Sequence, residues 1–332
     1  MAHGAGGSLM RDLIGDVFVR GGGDDPDVVG PEAMEDGGAV RVGDRWLVTT
    51  ADAHVVAPAF FPGGDIGRLA VCGTVNDLAM MGATAPLGLT ITVVVEEGYG
   101  RDELRRIQAS IDAACAEAGT RVLAGDTKVM GKGEVDGVVL SSAGFGFADR
   151  LVRDRGMRPG DRVIVSGSIG DHGLAVMSAR HELGLGDQLR SDVAPLNGLV
   201  ARVLEAVGAD LVGLKDATRG GVSAVLHELA DKNGAGVVLD DVALPISDAA
   251  RAAGELLGVD PLVVANEGKA VLIVRPGAVD AALGALRAHP LGRDAACVGE
   301  VIADHAGRVI VDTGFGRRLL AEPRGEPLPR IC

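Results

Sequence analysis

FFPGGDIGRLAVCGTVNDLAMMGA, residues 60–83, is the stretch whose reading decides the fold. Pro62-Gly63-Gly64 sets a turn, and Asp65 stands where a side-chain oxygen caps a helix running to about Met81. That helix is nearly all apolar or small, which predicts burial. Asn76 and Asp77 interrupt it. A buried carboxylate without a partner is costly, so Asp77 needs one. A metal ion, a helix N-terminus and an ordinary structural network each meet that need.

On either side the period alternates between strand and helix. WLVTTADAHVV (46–56) reads as a strand ending at Asp52, and LGLTITVVV (87–95) as a second. RVLAGDTKV (121–129) reads as a strand ending at Gly125-Asp126, with Lys128 two residues on; DGVVLSSAGFGFA (136–148) is another. Between them RDELRRIQASIDAACAEAG (101–119) is an amphipathic helix with Leu104, Ile107, Ile111, Ala114, Cys115 and Ala118 on its apolar stripe. RDRGMRPGD (153–161) is a linker and a domain boundary. Beyond it, helix patterns at about 195–206, 221–233, 247–257 and 277–288 mix with strands near 236–239, 269–275, 296–302 and 308–312. The pattern is α/β (α+β).

The composition bounds the function. The chain has 332 residues, enough for two domains with sizeable cores. Aromatic residues are 2%, so Val, Leu, Ile and Ala must build those cores. A net charge of −14 argues against a nucleic-acid or anionic-membrane surface. It leaves room for a nucleotide, whose phosphates carboxylates can hold through Mg²⁺. The apolar runs fall short of a membrane span and the N-terminus lacks a secretory pattern, so the cytoplasm is expected. The four cysteines, Cys72, Cys115, Cys297 and Cys332, form no CxxC motif.

Four aspartates carry the candidate chemistry. Asp36 precedes a strand, Asp52 and Asp126 are read as strand ends, and Asp77 sits in the apolar helix. Strand ends converge on a sheet rim, where α/β folds build sites. Together the four suggest a Mg²⁺–nucleotide site; ordinary polar strand ends are the alternative. The loop from Asp216 to Gly221 feeds a helix N-terminus, and with Arg219 it is a candidate anion site. Asn266-Glu267-Gly268 forms a turn before a strand. His3-Gly4-Ala5-Gly6-Gly7 is either a phosphate-approaching loop or a mobile end. The chain closes on GEPLPRIC (325–332), where Pro327 and Pro329 rule out a regular element. Cys332 there is either part of a frayed end or a thiol on a tether that can enter a cleft.

The run at 60–83, AGDTKV, the N-terminal HGAGG and the terminal PRIC together resemble the HypE family of hydrogenase maturation proteins, within the PurM-like ATP-binding superfamily. The resemblance runs the whole length. It implies a two-domain PurM-like fold: an N-terminal segment (1–34), an ATP- and Mg²⁺-binding, dimerising domain (35–152), a C-terminal α/β domain (153–315) and a mobile tail (316–332). It implies a homodimer that dehydrates a carbamoyl group on the C-terminal cysteine to a thiocyanate with ATP. HypF loads the group, and the cyano ligand passes to iron on a HypC–HypD complex. Carried onto these positions, Cys332 is the modified thiol, and Asp36, Asp52, Asp77 and Asp126 match the metal and ATP acids. Lys128 and Glu267 lie in segments that face the tail cysteine. Asn76, Asp216, Arg219, Gly6 and Gly7 fall in the expected nucleotide site. The family loop usually reads DPTRGG, and here Ala217 replaces the proline. Two other classes compete: a superfamily kinase or selenophosphate-synthetase-like enzyme acting on a small molecule, and a non-catalytic thiol carrier.

Overall fold

Asp65 caps the central helix as its spacing requires: its carboxylate accepts from the N–H groups of Gly67 and Arg68 at 2.8 and 3.0 Å. The computed structural model describes residues 8–19, 25–185, 188–323 and 330–332. Its first half runs α1 (Ser8–Val17), β1 (Val28–Val29), β2 (Gly38–Val42), β3 (Arg45–His54), β4 (Phe60–Phe61), β5 (Gly64–Asp65), α2 (Ile66–Met80), β6 (Pro86–Glu96), α3 (Arg101–Ala118), β7 (Val122–Met130) and β8 (Val138–Ala148). The second runs β9 (Arg162–Val165), α4 (Asp171–Arg180), α5 (Asn197–Val207), β10 (Leu211–Asp216), α6 (Gly221–Asn233), β11 (Gly236–Asp240), α7 (Asp248–Leu257), β12 (Ala270–Val274), α8 (Val279–Arg287), β13 (Ala296–Ile302), β14 (Val309–Asp312) and β15 (Arg317–Leu319).

The first sheet has the order β1-β2-β3-β8-β6-β7. Only β6 and β7 pair in parallel, and α3 makes the crossover between them. Side chains alternate across it. Val48, Thr50 and His54 of β3 turn toward α2 and are buried, while Leu47, Ala51, Phe145 and Phe147 lie on the opposite face and are not. The edge strand β7 is exposed along nearly its whole length, Leu123 and Val129 included. Two strand readings need correction. Asp52 and Asp126 do not end strands; β3 continues to His54 and β7 to Met130, because the backbone ladder runs on through the polar residues.

The second sheet, β10-β12-β9-β13-β11-β14-β15, is covered on both faces. Val163, Val165, Val271 and Ile273 pack toward α6, and Ile164, Leu272 and Val274 toward α5 and α8. The two halves share α2. Leu69, Cys72 and Val75 join one core with residues of α3 and α4, whereas Ala79 and Met80 join the core beneath α5. Asn76 bolts the halves together. Its amide donates to the carbonyls of Ala194 and Glu267, both at 3.2 Å, and accepts from the Leu196 N–H at 2.7 Å.

Replacing Asn76 with Leu strands the Ala194 carbonyl and the Leu196 N–H, while the Glu267 carbonyl keeps the Ala194 N–H at 3.4 Å. Each stranded group costs about 1–3 kcal/mol, so a loss of at least about 2 kcal/mol is expected. Urea denaturation of the variant checks this; a change under 1 kcal/mol would show that the bolt carries no strain.

Candidate active site

α2 presents Gly73 and Asp77 to β3, and β3 presents Asp52 and His54 back. β10 ends on Asp216, the loop after it adds Thr218 and Arg219, and the turn before β12 adds Glu267. These residues and Cys332 line one small cavity of about 50 Å³. A cavity of about 270 Å³ adjoins it through Asp216, Thr218 and Arg219. Its walls include Glu35, Asp36, Lys215 and Glu228, and α1 closes it with Met10, Arg11 and Ile14. Arg11 pairs with Glu322, tying α1 to the far end of the chain. The larger space suits a nucleotide and the smaller one the terminal thiol.

Charge is concentrated here. Lys215 lies 2.5 Å from Asp36, 3.1 Å from Asp154 and 3.3 Å from Glu228. Burial disfavours its charge, but those acids hold it protonated, well above the ordinary lysine range. Burial pushes Asp36 up, against the pull of Lys215. Burial also pushes Asp77 well up, and Asp52, Asp216 and Asp36 add to it; the Thr50 hydroxyl donates to Asp77 at 2.7 Å. Asp216 is pushed up to about 7, chiefly by burial. Burial, then Asp216 and Asp192, push Glu267 well above the usual carboxylate range. One oxygen of Asp216 and one of Glu267 are buried without a hydrogen-bond partner. Groups in that condition in a cleft are functional candidates.

The structure brings Asp36, Asp52, Asp77, Asp216, Arg219, Glu267 and Cys332 together around these two spaces. It does not bring Asp126 or Lys128. Asp126 pairs with Thr92, Thr92 with Ser141, and Ser141 with Ala53, so Asp126 shares Ala53's face of the sheet, not Asp52's. Three strand spacings of about 4.8 Å, roughly 14 Å, separate it from β3. Lys128, two residues on, lies on the same outer face. Asn76 is also removed from the nucleotide set: its amide is spent on the bolt described above. Gly6 and Gly7 lie outside the described residues. Ala217 is well suited where a proline was expected. Its N–H donates to the Lys269 carbonyl at 3.0 Å, a bond that proline cannot make.

The acids fit a hard divalent cation only in part. They are oxygen donors, and Asp216 offers an unpartnered oxygen. Among the described residues no three acid, His or Cys side chains form a preformed metal cluster. Mg²⁺ needs none, since it commonly takes one or two carboxylates with substrate phosphates and water.

Two families of AIR synthase related proteins match the chain, the N-terminal domain over residues 34–148 and the C-terminal domain over 158–312. The carbamoyl dehydratase HypE of Rhizobium leguminosarum bv. viciae is 47% identical over 335 residues, covering 100% of this chain and 94% of that protein. The chain belongs to the HypE family. The Escherichia coli carbamoyl dehydratase HypE is 40% identical over 342 residues, covering 100% of this chain and 98% of that one. A crystal structure of a HypE–HypF complex superposes with a TM-score of 0.86 at 41% identity, over 96% of this chain and 100% of the other. A HypE structure in complex with ATP gives 0.83 at 39%, over 99% and 98%. Thiamine monophosphate kinase from Aquifex aeolicus, at 20% identity and 0.61, shares the fold alone.

Relative to the sequence reading, the HypE fold adds Lys215, His54 and Thr218 to the site. His54 could have been found from the alternation that puts Thr50, Asp52 and His54 on one face. Lys215 precedes Asp216 directly, but a lone lysine in an apolar strand carries no signal of its partners.

Folded Asp216 keeps its proton to about pH 7, whereas an unfolded aspartate gives it up near 3.8. The folded state is therefore favoured at low pH and loses stability as pH rises through that window. In Mg²⁺-free buffer the parent should lose on the order of 2–4 kcal/mol relative to Asp216→Asn between pH 4 and 8. Denaturation across that range tests this; parallel curves would exclude a raised Asp216.

Proposed function

We propose that this protein uses ATP to dehydrate a carbamoyl group on its own Cys332 sulfur to a thiocyanate, for [NiFe]-hydrogenase maturation. The observation that carries this reading is Cys332 in one cavity with Glu267, Asp216 and Arg219, next to a nucleotide-sized space. The HypE relatives and the ATP-bound HypE structure support it.

The carbamoyl oxygen attacks the γ-phosphorus of ATP. An O–P bond forms, the bond to the β,γ-bridging oxygen breaks, and ADP leaves. An N–H proton passes to Glu267, giving an S–C(=NH)–O–phosphate. The second N–H proton passes to a phosphate oxygen as the C–O bond breaks, and hydrogen phosphate departs with the electron pair, leaving S–C≡N. Burial makes ionised Glu267 a strong base, which suits an amide proton. Arg219 supplies positive charge where oxygen charge grows. Asp216, Asp52 and Asp77 would hold Mg²⁺, which would supply neutralisation of the phosphate charge. Tethering makes the reaction effectively unimolecular.

Asp126 and Lys128 enter through a second copy. β7 is a sheet edge exposed along its length, with apolar Leu123 and Val129, and such edges pair. A homodimer along this strand brings Asp126 and Lys128 to the partner's cleft. HypF is the loading partner, supported by the HypE–HypF structure, and a HypC–HypD complex the acceptor. No described helix is long and apolar enough to cross a membrane, and a cytoplasmic location is proposed. The small-molecule kinase reading is disfavoured by the tail thiol in the acceptor position. The carrier reading is disfavoured by the acidic cleft.

After incubation with HypF, carbamoyl phosphate and ATP, mass spectrometry of the C-terminal peptide should record a carbamoyl adduct that loses one water. Glu267→Gln should retain the adduct and slow the loss at least about 100-fold. Persistence of the adduct in the parent would sink the reading. For the dimer, Lys128→Ala and Cys332→Ala should each be inactive alone and regain turnover when mixed. No recovery on mixing would place Lys128 outside the partner's site.

A further inference from the structure

The last three residues are held by their backbone. The Arg330 carbonyl accepts from the Ala57 N–H at 3.1 Å and from the Arg180 guanidinium at 2.7 Å. Arg180 is itself fixed by donating to the Ala57 carbonyl at 2.8 Å. The next carbonyl, that of Ile331, accepts from His172 Nε2 at 2.6 Å. The Ile331 side chain is buried in the core that α2 shares with α4. Arg330, in the left-handed region at φ 56°, turns its side chain out to Asp136. Two consecutive carbonyls are thus pinned, one and two residues before the thiol.

His172 is built for this task. It is fully buried at the start of α4, with Phe61 packed edge-on at 5.3 Å between ring centroids. A carbonyl can only accept, so Nε2 carries the proton and Nδ1 must accept, here from the Ser191 hydroxyl at 2.8 Å. Ser191 Oγ is oriented in turn by the Val193 N–H at 3.1 Å. The neighbouring Asp192 carboxylate accepts from the Glu267 N–H at 3.0 Å. One short segment, Ser191–Val193, therefore locates both the histidine that holds the tail and the residue proposed as the base.

We propose that His172 is a positioning residue for the dehydration: its Nε2–H grips the Ile331 carbonyl and, with Arg180 on the Arg330 carbonyl, sets how far the tail enters, so that the Cys332 sulfur stops beside Glu267. The catalytic consequence rests on the dehydratase reading; the grip itself does not. A clamp on main-chain carbonyls reads depth of insertion from the backbone, whatever group the terminal thiol carries. Losing one buried hydrogen bond of this kind lowers the clamped population roughly 10-fold.

The test uses the full-length protein and two variants. His172→Leu removes the donor at similar size; His172→Gln restores an N–H that can reach the carbonyl. Alkylation of Cys332 by iodoacetamide, followed by mass spectrometry, should be roughly 10-fold faster in His172→Leu and near the parent rate in His172→Gln. Single-turnover loss of water from the carbamoylated tail should slow correspondingly in His172→Leu, with Mg-ATP affinity unchanged. A His172→Leu protein that binds Mg-ATP normally and alkylates at the parent rate overturns the proposal. If that variant does not fold, Arg180→Met must give the same faster alkylation, and a parental rate there overturns it equally. A parent that never loses water would refute the dehydratase reading while leaving the alkylation comparison intact.

Discussion

Asp77 stands half-buried in the middle of a helix that is otherwise almost wholly apolar, and much of the molecule follows from that placement. α2 can bury nearly all of its surface only if both halves of the chain pack on it, and they do, through two cores that meet along its length. The carboxylate can be tolerated there only if the surroundings answer it. β3 supplies the Thr50 hydroxyl, and the opening beyond it is the cleft. One residue earlier, Asn76 spends its whole amide on the second half of the chain, including the Glu267 carbonyl. Helix, domain junction and site are therefore one arrangement. The base is held in place by the same turn of helix that carries a candidate metal ligand.

The second half contributes in a complementary way. Its sheet is covered on both faces and acts as a rigid platform. The end of β10, the loop after it and the turn before β12 hold Asp216, Arg219 and Glu267. The close approach at Gly268, where a Cβ would stand 1.9 Å from the Asp192 carbonyl oxygen, keeps the Glu267 turn pressed against the 191–194 segment. A side chain there would push the two apart, so glycine is required by contact and not by turn type alone.

Much of this was legible in the residues. The Asp65 cap, the mostly apolar, largely buried α2 and the α3 stripe of Ile107, Ile111, Ala114, Cys115 and Ala118 follow from spacing, and the structure has them. The acids Asp36, Asp52, Asp77, Asp216 and Glu267 do gather. What period and composition could not supply was direction. Asp52 and Asp126 look alike in sequence, each following small or β-branched residues, yet the ladder carries both strands past them and turns them to opposite faces. Asn76 and Asp77 are neighbours, but one turns to the junction and the other to the cleft. His172 gave no signal, because its role depends on a carbonyl 159 positions away in the chain.

The crowding of raised carboxyl groups has a consequence in proton bookkeeping. Asp216, pushed up to about 7 chiefly by burial, keeps near neutral pH a proton that an ordinary aspartate would have surrendered. A divalent cation or a cation-bound nucleotide that takes this carboxylate as a ligand must displace that proton, so its uptake is a competition with hydrogen ions. Binding then releases protons into the medium, and apparent affinity climbs as the medium becomes more alkaline.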